Sequence, residues 1–314
     1  MAEHSGIAFV FPGQGSQVVG MGKALFDEVE SVPALYKEAQ DVLGYDIGQL
    51  CFEGPVDQLN QTEYTQPALL VTSWAAYQLV QDGPWTPAAV AGHSLGEYTA
   101  LLAAGGLKFR DVVGLVQKRG RYMAEAVTSG SGLVAAILGL SETEVRAVCR
   151  EAESTGVVAP ANLNSPGQTV IAGEKAAVEK ALEIAKSHGA KRVMPLPVSV
   201  PVHTPLMQVA ADRLKKDIES LSWSDLQVPL INNVEAKAIQ TAAEVQASLV
   251  RQLPAPVRWQ DTIMEMSKMG IRHFIEIGPG KVLTGLVKRI APDAKTWNIS
   301  DQASYELVRA QLVS

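Results

Sequence analysis

The residues from Gly92 to Gly96 read Gly-His-Ser-Leu-Gly and fit the G-x-S-x-G pattern, in which a serine nucleophile stands on a sharp turn. That turn must connect a strand to a helix, and the sequence predicts both: an apolar strand over 88–92 and a helix over 95–104. Unpaired N–H groups at the start of the helix would face a developing oxyanion. The alternative is a glycine-rich turn with an inert serine. The predicted context favours Ser94 as a nucleophile.

A serine needs a base to act as a nucleophile at neutral pH, and histidine is the usual one. The chain contains five histidines. His4 lies near the terminus, His188 precedes the glycine that ends a predicted helix, and His273 opens an apolar strand. His93 adjoins the serine, and the elbow would aim the two side chains in different directions. His203, in a proline-stiffened loop, therefore remains as the candidate base, with a structural histidine as the alternative.

No acidic residue stands out as the third member that usually orients such a base. Asp212 and Glu219 lie on a predicted helix and are interpreted as part of its solvated face. A carboxamide or a backbone carbonyl could hold the imidazole tautomer instead.

A cation occupies the apolar face of the helix predicted over 111–127. At about 100° per residue, Arg119 falls in the middle of that face, whereas Lys118 and Arg121 point away. The apolar members of the face are Val112, Leu115, Val116 and Met123. A buried guanidinium is costly unless it meets an anion. The two interpretations are a structural ion pair and a clamp for a substrate carboxylate.

The loop after the first predicted strand, 7–11, has the sequence Phe-Pro-Gly-Gln-Gly-Ser-Gln over residues 11–17. It is not a phosphate loop, because the required glycine spacing and lysine are absent. One interpretation is a simple glycine turn. The other is a second oxyanion donor from the backbone N–H of Gln14, since hydrolases with a serine elbow draw one such donor from another strand–helix loop.

Short apolar runs alternate with amphipathic stretches, which predicts an α/β fold with a mostly parallel sheet. Residues 128–198 have a different predicted order of elements, βαββαβ, which is the ferredoxin-like pattern. We therefore expect a small subdomain over 128–198, inserted into a larger α/β catalytic subdomain formed by 1–127 and 199–314. The stretch 129–132 is a candidate hinge.

Composition excludes several classes of protein. The chain has 314 residues, of which 47% are hydrophobic and 19% charged, so it can bury a core. Its formal net charge is −6 without a long basic tract, which argues against nucleic acid as a partner. We see no secretory signal and no apolar run long enough to cross a membrane. Two distant cysteines fit a reducing cytosol and indicate neither a disulfide framework nor a metal cluster.

Together these features resemble the malonyl-CoA:acyl-carrier-protein transacylase family of fatty acid synthesis, which is related to polyketide synthase acyltransferase domains. The family fold is a hydrolase-like core with a ferredoxin-like insert. The resemblance runs the length of the chain. The matching segments are 11–17 (FPGQGSQ), 65–68 (TQPA), 92–97 (GHSLGE), 117–120 (QKRG), 164–168 (NSPGQ), 200–203 (VPVH) and 278–280 (GPG).

The resemblance implies a role for each candidate residue. Ser94 would be the nucleophile and His203 its base, in a ping-pong reaction through a malonyl-serine ester. Arg119 would hold the malonyl carboxylate. Gln14 and Leu95 would supply the N–H groups that bind the oxyanion.

Four further positions follow from the same resemblance. The carbonyl of Gln252 would orient the base, which would account for the missing acid. His93 and Asn164 would shape the site. Val202 departs from the serine that many fatty-acid members carry before the base; an apolar residue there is compatible with malonyl and leaves discrimination against branched acyl groups open.

The resemblance also implies the partners. They are malonyl-CoA and an acidic acyl carrier protein, with no metal or redox cofactor, and we expect a cytoplasmic monomer. Candidate docking residues are Lys191, Arg192, Lys281, Lys288 and Arg289. The alternatives are a serine hydrolase, a non-catalytic scaffold that docks carrier proteins, and an acyltransferase of a polyketide pathway.

Overall fold

A computed structural model describes residues 6–128, 130–196, 198 and 200–312. His4 and the residues at the two predicted junctions, Ser129 and Ser199, lie outside this part. The strands are β1 (Ile7–Phe11), β2 (Ala89–Gly92), β3 (Gly132–Leu138), β4 (Val158–Ser165), β5 (Gln168–Glu174), β6 (Arg192–Pro195), β7 (Leu230–Ile231), β8 (Ala238–Ile239), β9 (His273–Ile277) and β10 (Lys295–Ile299).

Helices alternate with these strands, and two short 3₁₀ helices cover Glu153–Thr155 and Pro205–Met207. The α-helices are α1 (Lys23–Glu28), α2 (Val32–Leu43), α3 (Ile47–Glu53), α4 (Val56–Leu59), α5 (Thr62–Tyr77), α6 (Gly96–Ala103), α7 (Phe109–Glu125), α8 (Glu142–Ala152), α9 (Lys175–Ser187), α10 (Gln208–Glu219), α11 (Ala242–Gln252), α12 (Trp259–Lys268), α13 (Val282–Ile290) and α14 (Gln302–Leu312). The predicted α/β class is confirmed.

The larger sheet has six strands in the order β10-β9-β1-β2-β7-β8. All neighbours are parallel except β8, which runs antiparallel to β7. Every residue of β1 and β2 is buried, as expected for strands covered on both faces. Phe11 is in register with Gly92, so the loops that follow β1 and β2 leave the same edge of the sheet side by side. This edge carries the predicted serine turn and the Gln14 loop.

The smaller sheet contains the strands of the predicted insert. It is antiparallel, with the order β4-β5-β3-β6, and α8 and α9 pack on one face of it. The order of elements, βαββαβ, is the predicted one. Ser141 followed three residues later by Glu144 predicts a capping box at the start of α8, and in the structure each of the two side chains bonds the other residue's backbone N–H. The segment between α11 and α12 pairs with the smaller sheet, since the backbone of Val257 accepts from Leu163 and donates to Ala161 of β4.

One helix boundary was predicted wrongly. The sequence indicates a helix over 69–80, but α5 starts at Thr62 and encloses Pro67. A proline inside a helix removes one backbone bond and normally marks a break. Here nearly all of α5 is buried, and tertiary packing against α7 outweighs the local signal. The extra turns carry Thr62 and Gln66 to the edge of the sheet described above.

Neither cysteine forms a disulfide, and no helix within the described residues combines the length and apolar character that crossing a membrane requires. Cys51 and Cys149 are both buried. Burial raises the pKa of each thiol to about 12, so both are protonated at neutral pH.

Candidate active site

Ser94 stands on a strained turn between β2 and α6. Its φ is 52°, a left-handed conformation that is costly for a residue other than glycine. A Cβ on Gly92 would lie 1.8 Å from the carbonyl carbon of Gly96, so the turn tolerates no side chain there. The side chain of Asn233, which follows β7, bonds the backbone at two points of this turn. Its Oδ1 accepts from the Ser94 N–H at 2.7 Å, and its Nδ2 donates to the Gly92 carbonyl at 2.7 Å. These contacts hold the serine side chain above the sheet edge.

His203 lies directly against this serine. Its Nε2 is 2.7 Å from Ser94 Oγ, and its Nδ1 is 3.0 Å and 3.1 Å from the carbonyl oxygens of Gln252 and Ala255. Carbonyl oxygens only accept hydrogen bonds, so Nδ1 carries the proton and Nε2 accepts from the Ser94 hydroxyl. Burial, helped by the charge of Arg119, lowers the pKa of His203 to about 3. The imidazole is therefore neutral and ready to accept a proton.

Arg119 is 1% exposed and lies on the other side of the same hydroxyl. Its Nη2 donates to Ser94 Oγ at 3.1 Å and to Gln252 Oε1 at 3.0 Å, and its Nη1 donates to Gln66 Oε1 at 2.6 Å. No carboxylate in the described part of the chain forms an ion pair with it. Its direct partners among the described residues are neutral groups, which favours the clamp interpretation over a structural ion pair. A buried cation with only neutral partners suits the binding of an anion.

A glycine allows Arg119 to reach this position. A Cβ on Gly120 would lie 2.7 Å from the Cα of Glu63 and the carbonyl oxygen of Thr62, so α7 touches the first turn of α5. At that crossing Thr62 links the loop after β1 to Gln66 of α5, since it donates to Gln14 Oε1 at 2.9 Å and accepts from Gln66 Nε2 at 2.9 Å.

Behind Arg119 lies a buried polar network that the sequence did not reveal. Gln252 Nε2 donates to the Ser94 carbonyl at 3.0 Å and to Glu97 Oε2 at 2.9 Å, and the Asn233 backbone N–H reaches Glu97 Oε2 at 3.0 Å. Glu97 is the one charged residue of α6, which is mostly apolar and buried, so a charge in a buried helix was the signal that could have identified it. Asn233 carries no comparable local signal.

A cavity of about 190 Å³ opens between the two sheets in front of Ser94 and His203. Both sheets contribute to its walls. Among the predicted site residues, only Gln252 does not line the cavity. The predicted residues on the walls are Gln14, His93, Ser94, Leu95, Arg119, Asn164, Val202 and His203. The described residues contain no group of three or more His, Cys, Asp or Glu side chains that could hold a metal ion.

Two backbone donors face this region. Within the described residues, neither the Gln14 N–H nor the Leu95 N–H forms a hydrogen bond. Both residues line the cavity, one from the loop after β1 and the other directly after Ser94. Unpaired donors beside a nucleophile are suited to binding an oxyanion.

His93 and Asn164 connect the two sheets across the cavity. His93 Nε2 lies 2.9 Å from Asn164 Oδ1, and the His93 ring packs on Trp259 with ring centres 5.5 Å apart. Burial lowers the pKa of His93, so it is neutral. The His93 side chain bonds Asn164 through Nε2, which agrees with the expectation that it shapes the site and does not act as the base.

Exposed cations lie near the cavity mouth. Lys281 precedes α13, Lys288 and Arg289 lie on it, and all three are exposed. Arg289 donates to Gln168 Oε1 at 2.5 Å. Gln168 and three residues of α13 line the cavity. Lys191 and Arg192 are also exposed, beside and within β6.

The chain matches the family model for the acyl transferase domain over residues 8–308. It is 49% identical to the malonyl CoA-acyl carrier protein transacylase of Escherichia coli K12, across 90% of this chain and 92% of that protein. An acyl carrier protein S-malonyltransferase from Vibrio cholerae superposes with a TM-score of 0.93 at 47% identity, covering 96% of this chain and 99% of that one.

A further similar structure was solved with a partner. It is a malonyl-transacylase in complex with its type II polyketide synthase acyl-carrier protein, with a TM-score of 0.95 and 45% identity over 98% of this chain and 99% of that chain.

Proposed function

This chain belongs to the malonyl-CoA:acyl-carrier-protein transacylase family of acyl transferases, and on that premise we propose how its own residues perform the transfer. It transfers the malonyl group from malonyl-CoA to acyl carrier protein in fatty acid synthesis. The proposed route has two half-reactions that share one covalent intermediate on Ser94.

In the first half-reaction, His203 Nε2 takes the Ser94 proton while Oγ attacks the malonyl thioester carbonyl. The tetrahedral intermediate collapses, the C–S bond breaks, and His203 returns the proton to the sulfur of coenzyme A. In the second, the thiol of the carrier's phosphopantetheine arm gives its proton to His203 and its sulfur attacks the ester carbonyl. The C–Oγ bond then breaks, and His203 returns the proton to Ser94 Oγ, which restores the free hydroxyl. The observation that carries this proposal is the 2.7 Å contact between Oγ and a neutral Nε2 whose opposite nitrogen is held by two carbonyls.

The N–H groups of Gln14 and Leu95 would bind the oxyanion of each tetrahedral intermediate. Their support is that both line the cavity without a hydrogen-bond partner in the described chain. Removing one such donor typically costs about 2.7–4 kcal/mol of transition-state stabilisation.

Arg119 would grip the malonyl carboxylate. The guanidinium lies 3.1 Å from Oγ and has only neutral partners, so a carboxylate on the acyl group would provide the missing anion. Val202 would shape the wall next to the base, and His93 with Asn164 the opposite wall. A neutral acyl group would leave Arg119 without a counter-charge, which argues against a hydrolase of ordinary esters.

We interpret the larger sheet with its serine turn as a hydrolase-like core formed by 1–127 and 199–314, and the smaller sheet as a ferredoxin-like subdomain over 128–198. The site lies where they meet. The proposed steps use protein side chains, backbone donors and the two substrates, and they require no metal or redox cofactor.

The acyl carrier protein would dock at the cavity mouth, where Lys281, Lys288 and Arg289 could meet acidic side chains. The exposed Lys191 and Arg192, beside and within β6, are further candidates for this contact. We propose that the chain acts as a cytoplasmic monomer. A polyketide carrier is the alternative acceptor, because one similar structure holds such a carrier.

A transfer assay with malonyl-CoA and fatty-acid or polyketide holo-carriers tests this function. Wild-type protein should charge a carrier, Ser94→Ala should not, and the ratio of kcat/KM values identifies the preferred carrier. Release of coenzyme A into water without charging either carrier would instead indicate a hydrolase. A Ser94→Ala variant that charges the carrier at the wild-type rate would refute the proposed route.

A further inference from the structure

Glu97 is a buried carboxyl group that the proposed mechanism does not use. It is 0% exposed, one turn of helix beyond the nucleophile. Its Oε2 accepts both of its hydrogen bonds, from Gln252 Nε2 and from the Asn233 backbone, while Oε1 has no partner among the described residues. A buried carboxyl group is expensive, so its environment must be arranged around it.

The Gln252 side chain connects this carboxyl to the carboxylate clamp. The amide donates from Nε2 to Glu97 and accepts at Oε1 from Arg119 Nη2. If the amide were reversed, its NH₂ would face the guanidinium and its oxygen would face the carboxylate, and both contacts would be lost. Glu97, together with the Ser94 carbonyl that also accepts from Nε2, therefore fixes which end of the amide Arg119 meets.

We propose that Glu97 is a positioning residue for the Arg119 clamp: it locks the Gln252 amide, and its negative charge, one amide away from the guanidinium, weakens the hold of Arg119 on an acyl carboxylate. The proposal rests on the function given above. It makes the preference for malonyl over acetyl depend on the charge of Glu97.

The charge of Glu97 changes in the working range of pH. Burial raises the pKa of Glu97 to about 7, and the nearby charge of Glu235 also raises it. The hydrogen bonds from Gln252 and Asn233 and the charge of Arg119 act in the opposite direction and lower it. Among the other groups on this network, His203 has a pKa of about 3 and Tyr98 of about 12, and Arg119 stays cationic. Both hydrogen bonds go to one oxygen, so protonation of the other oxygen leaves them intact.

The expected signature is a pH-dependent selectivity. As the pH rises through about 7, ionised Glu97 repels the malonyl carboxylate, and the malonyl-to-acetyl ratio of kcat/KM should fall by about threefold to tenfold. The change should lie in KM for malonyl-CoA rather than in kcat. Titration of the coenzyme A phosphates affects both donors and cancels in the ratio.

Acyl loading from malonyl-CoA and acetyl-CoA, measured from about pH 6 to about pH 8.5, tests the proposal. In Glu97→Gln the side-chain oxygen can accept both bonds without ionising, so the ratio should stay at the low-pH wild-type level throughout. In Glu97→Ala the Gln252 amide loses one of its two acceptors and keeps only the Ser94 carbonyl, so malonyl loading should fall by up to about tenfold while acetyl loading falls less. Glu179→Gln, on the exposed side of α9, is the control and should keep the wild-type slope.

A wild-type ratio that is flat across this range overturns the role of Glu97, and this measurement needs no variant. A Glu97→Gln protein that retains the wild-type slope overturns it as well. If the wild-type protein forms no malonyl ester, the proposed function falls together with this proposal. Malonyl loading with a flat ratio rejects only the role of Glu97.

Discussion

Replacing Arg119 by alanine should separate malonyl loading from acetyl loading. In the substrate complex the guanidinium would pair with a carboxylate inside a cavity where Arg119 is 1% exposed. Removing one partner of such a buried pair costs about 3–5 kcal/mol, because the remaining charge is left without compensation. At about 1.36 kcal/mol per factor of ten, kcat/KM for malonyl-CoA should fall by roughly two to three and a half orders of magnitude.

Acetyl-CoA presents no carboxylate, so its loading should depend much less on Arg119. The variant does lose the 3.1 Å contact with Ser94 Oγ and leaves the oxygens of Gln66 and Gln252 without their donor. Those losses should lower acetyl loading by about tenfold at most. The charge on Arg119 also helps to lower the pKa of His203. Removing Arg119 therefore makes His203 a stronger base, which partly offsets the loss of acetyl loading.

The assay is pre-steady-state release of coenzyme A from each donor, with the variant checked for folding by circular dichroism. Arg121→Ala is the matched control, since Arg121 is two positions along α7 with a side chain that is 53% exposed. It should behave as wild type toward both donors. Equal losses on malonyl-CoA and acetyl-CoA in Arg119→Ala would refute the clamp.

Three further predictions follow from the site. Burial lowers the pKa of His203 from 6.5 to about 3, so between these pH values the unfolded chain binds one more proton at this histidine than the folded chain does. The free energy of unfolding should therefore fall as the pH drops from 6.5 to about 3. Urea unfolding of His203→Asn should show a weaker dependence of that free energy on pH. Asn233→Ala should lose about 1–3 kcal/mol of unfolding free energy and slow acylation of Ser94, which calorimetry and stopped-flow kinetics would measure; unchanged values would exclude its support of the turn. The double variant Lys288→Glu/Arg289→Glu should raise KM for the carrier several-fold without changing loading from malonyl-CoA. An unchanged KM would show that the carrier does not dock on these two residues.

Local patterns predicted the elements that carry the chemistry. Short apolar runs predict strands over 7–11 and 273–277, and an amphipathic pattern predicts a helix over 282–290; β1, β9 and α13 have these bounds. Helical periodicity also placed Arg119 on the buried face, where the structure has it. The start of α5 could not be predicted this way, since Pro67 is a local breaker that only packing overrides.

The support behind the site was beyond such patterns. Gln66, Asn233 and the side chain of Gln252 are amides, which occur on surfaces and in cores alike and have no periodic signature. Their partners are distant: Asn233 is 139 residues from Ser94, and Gln252 is 133 from Arg119. Ala255, the second acceptor for His203, acts through its backbone and has no side-chain signal. His203 was found only because the other histidines could be set aside.

Mass spectrometry of the protein mixed with malonyl-CoA would show directly whether Ser94 carries the acyl group. We expect one malonyl group on the peptide that contains Ser94, removed quickly by a pantetheine thiol and far more slowly by water. Attachment at another residue, or equal labelling of Ser94→Ala, would refute the Ser94 mechanism.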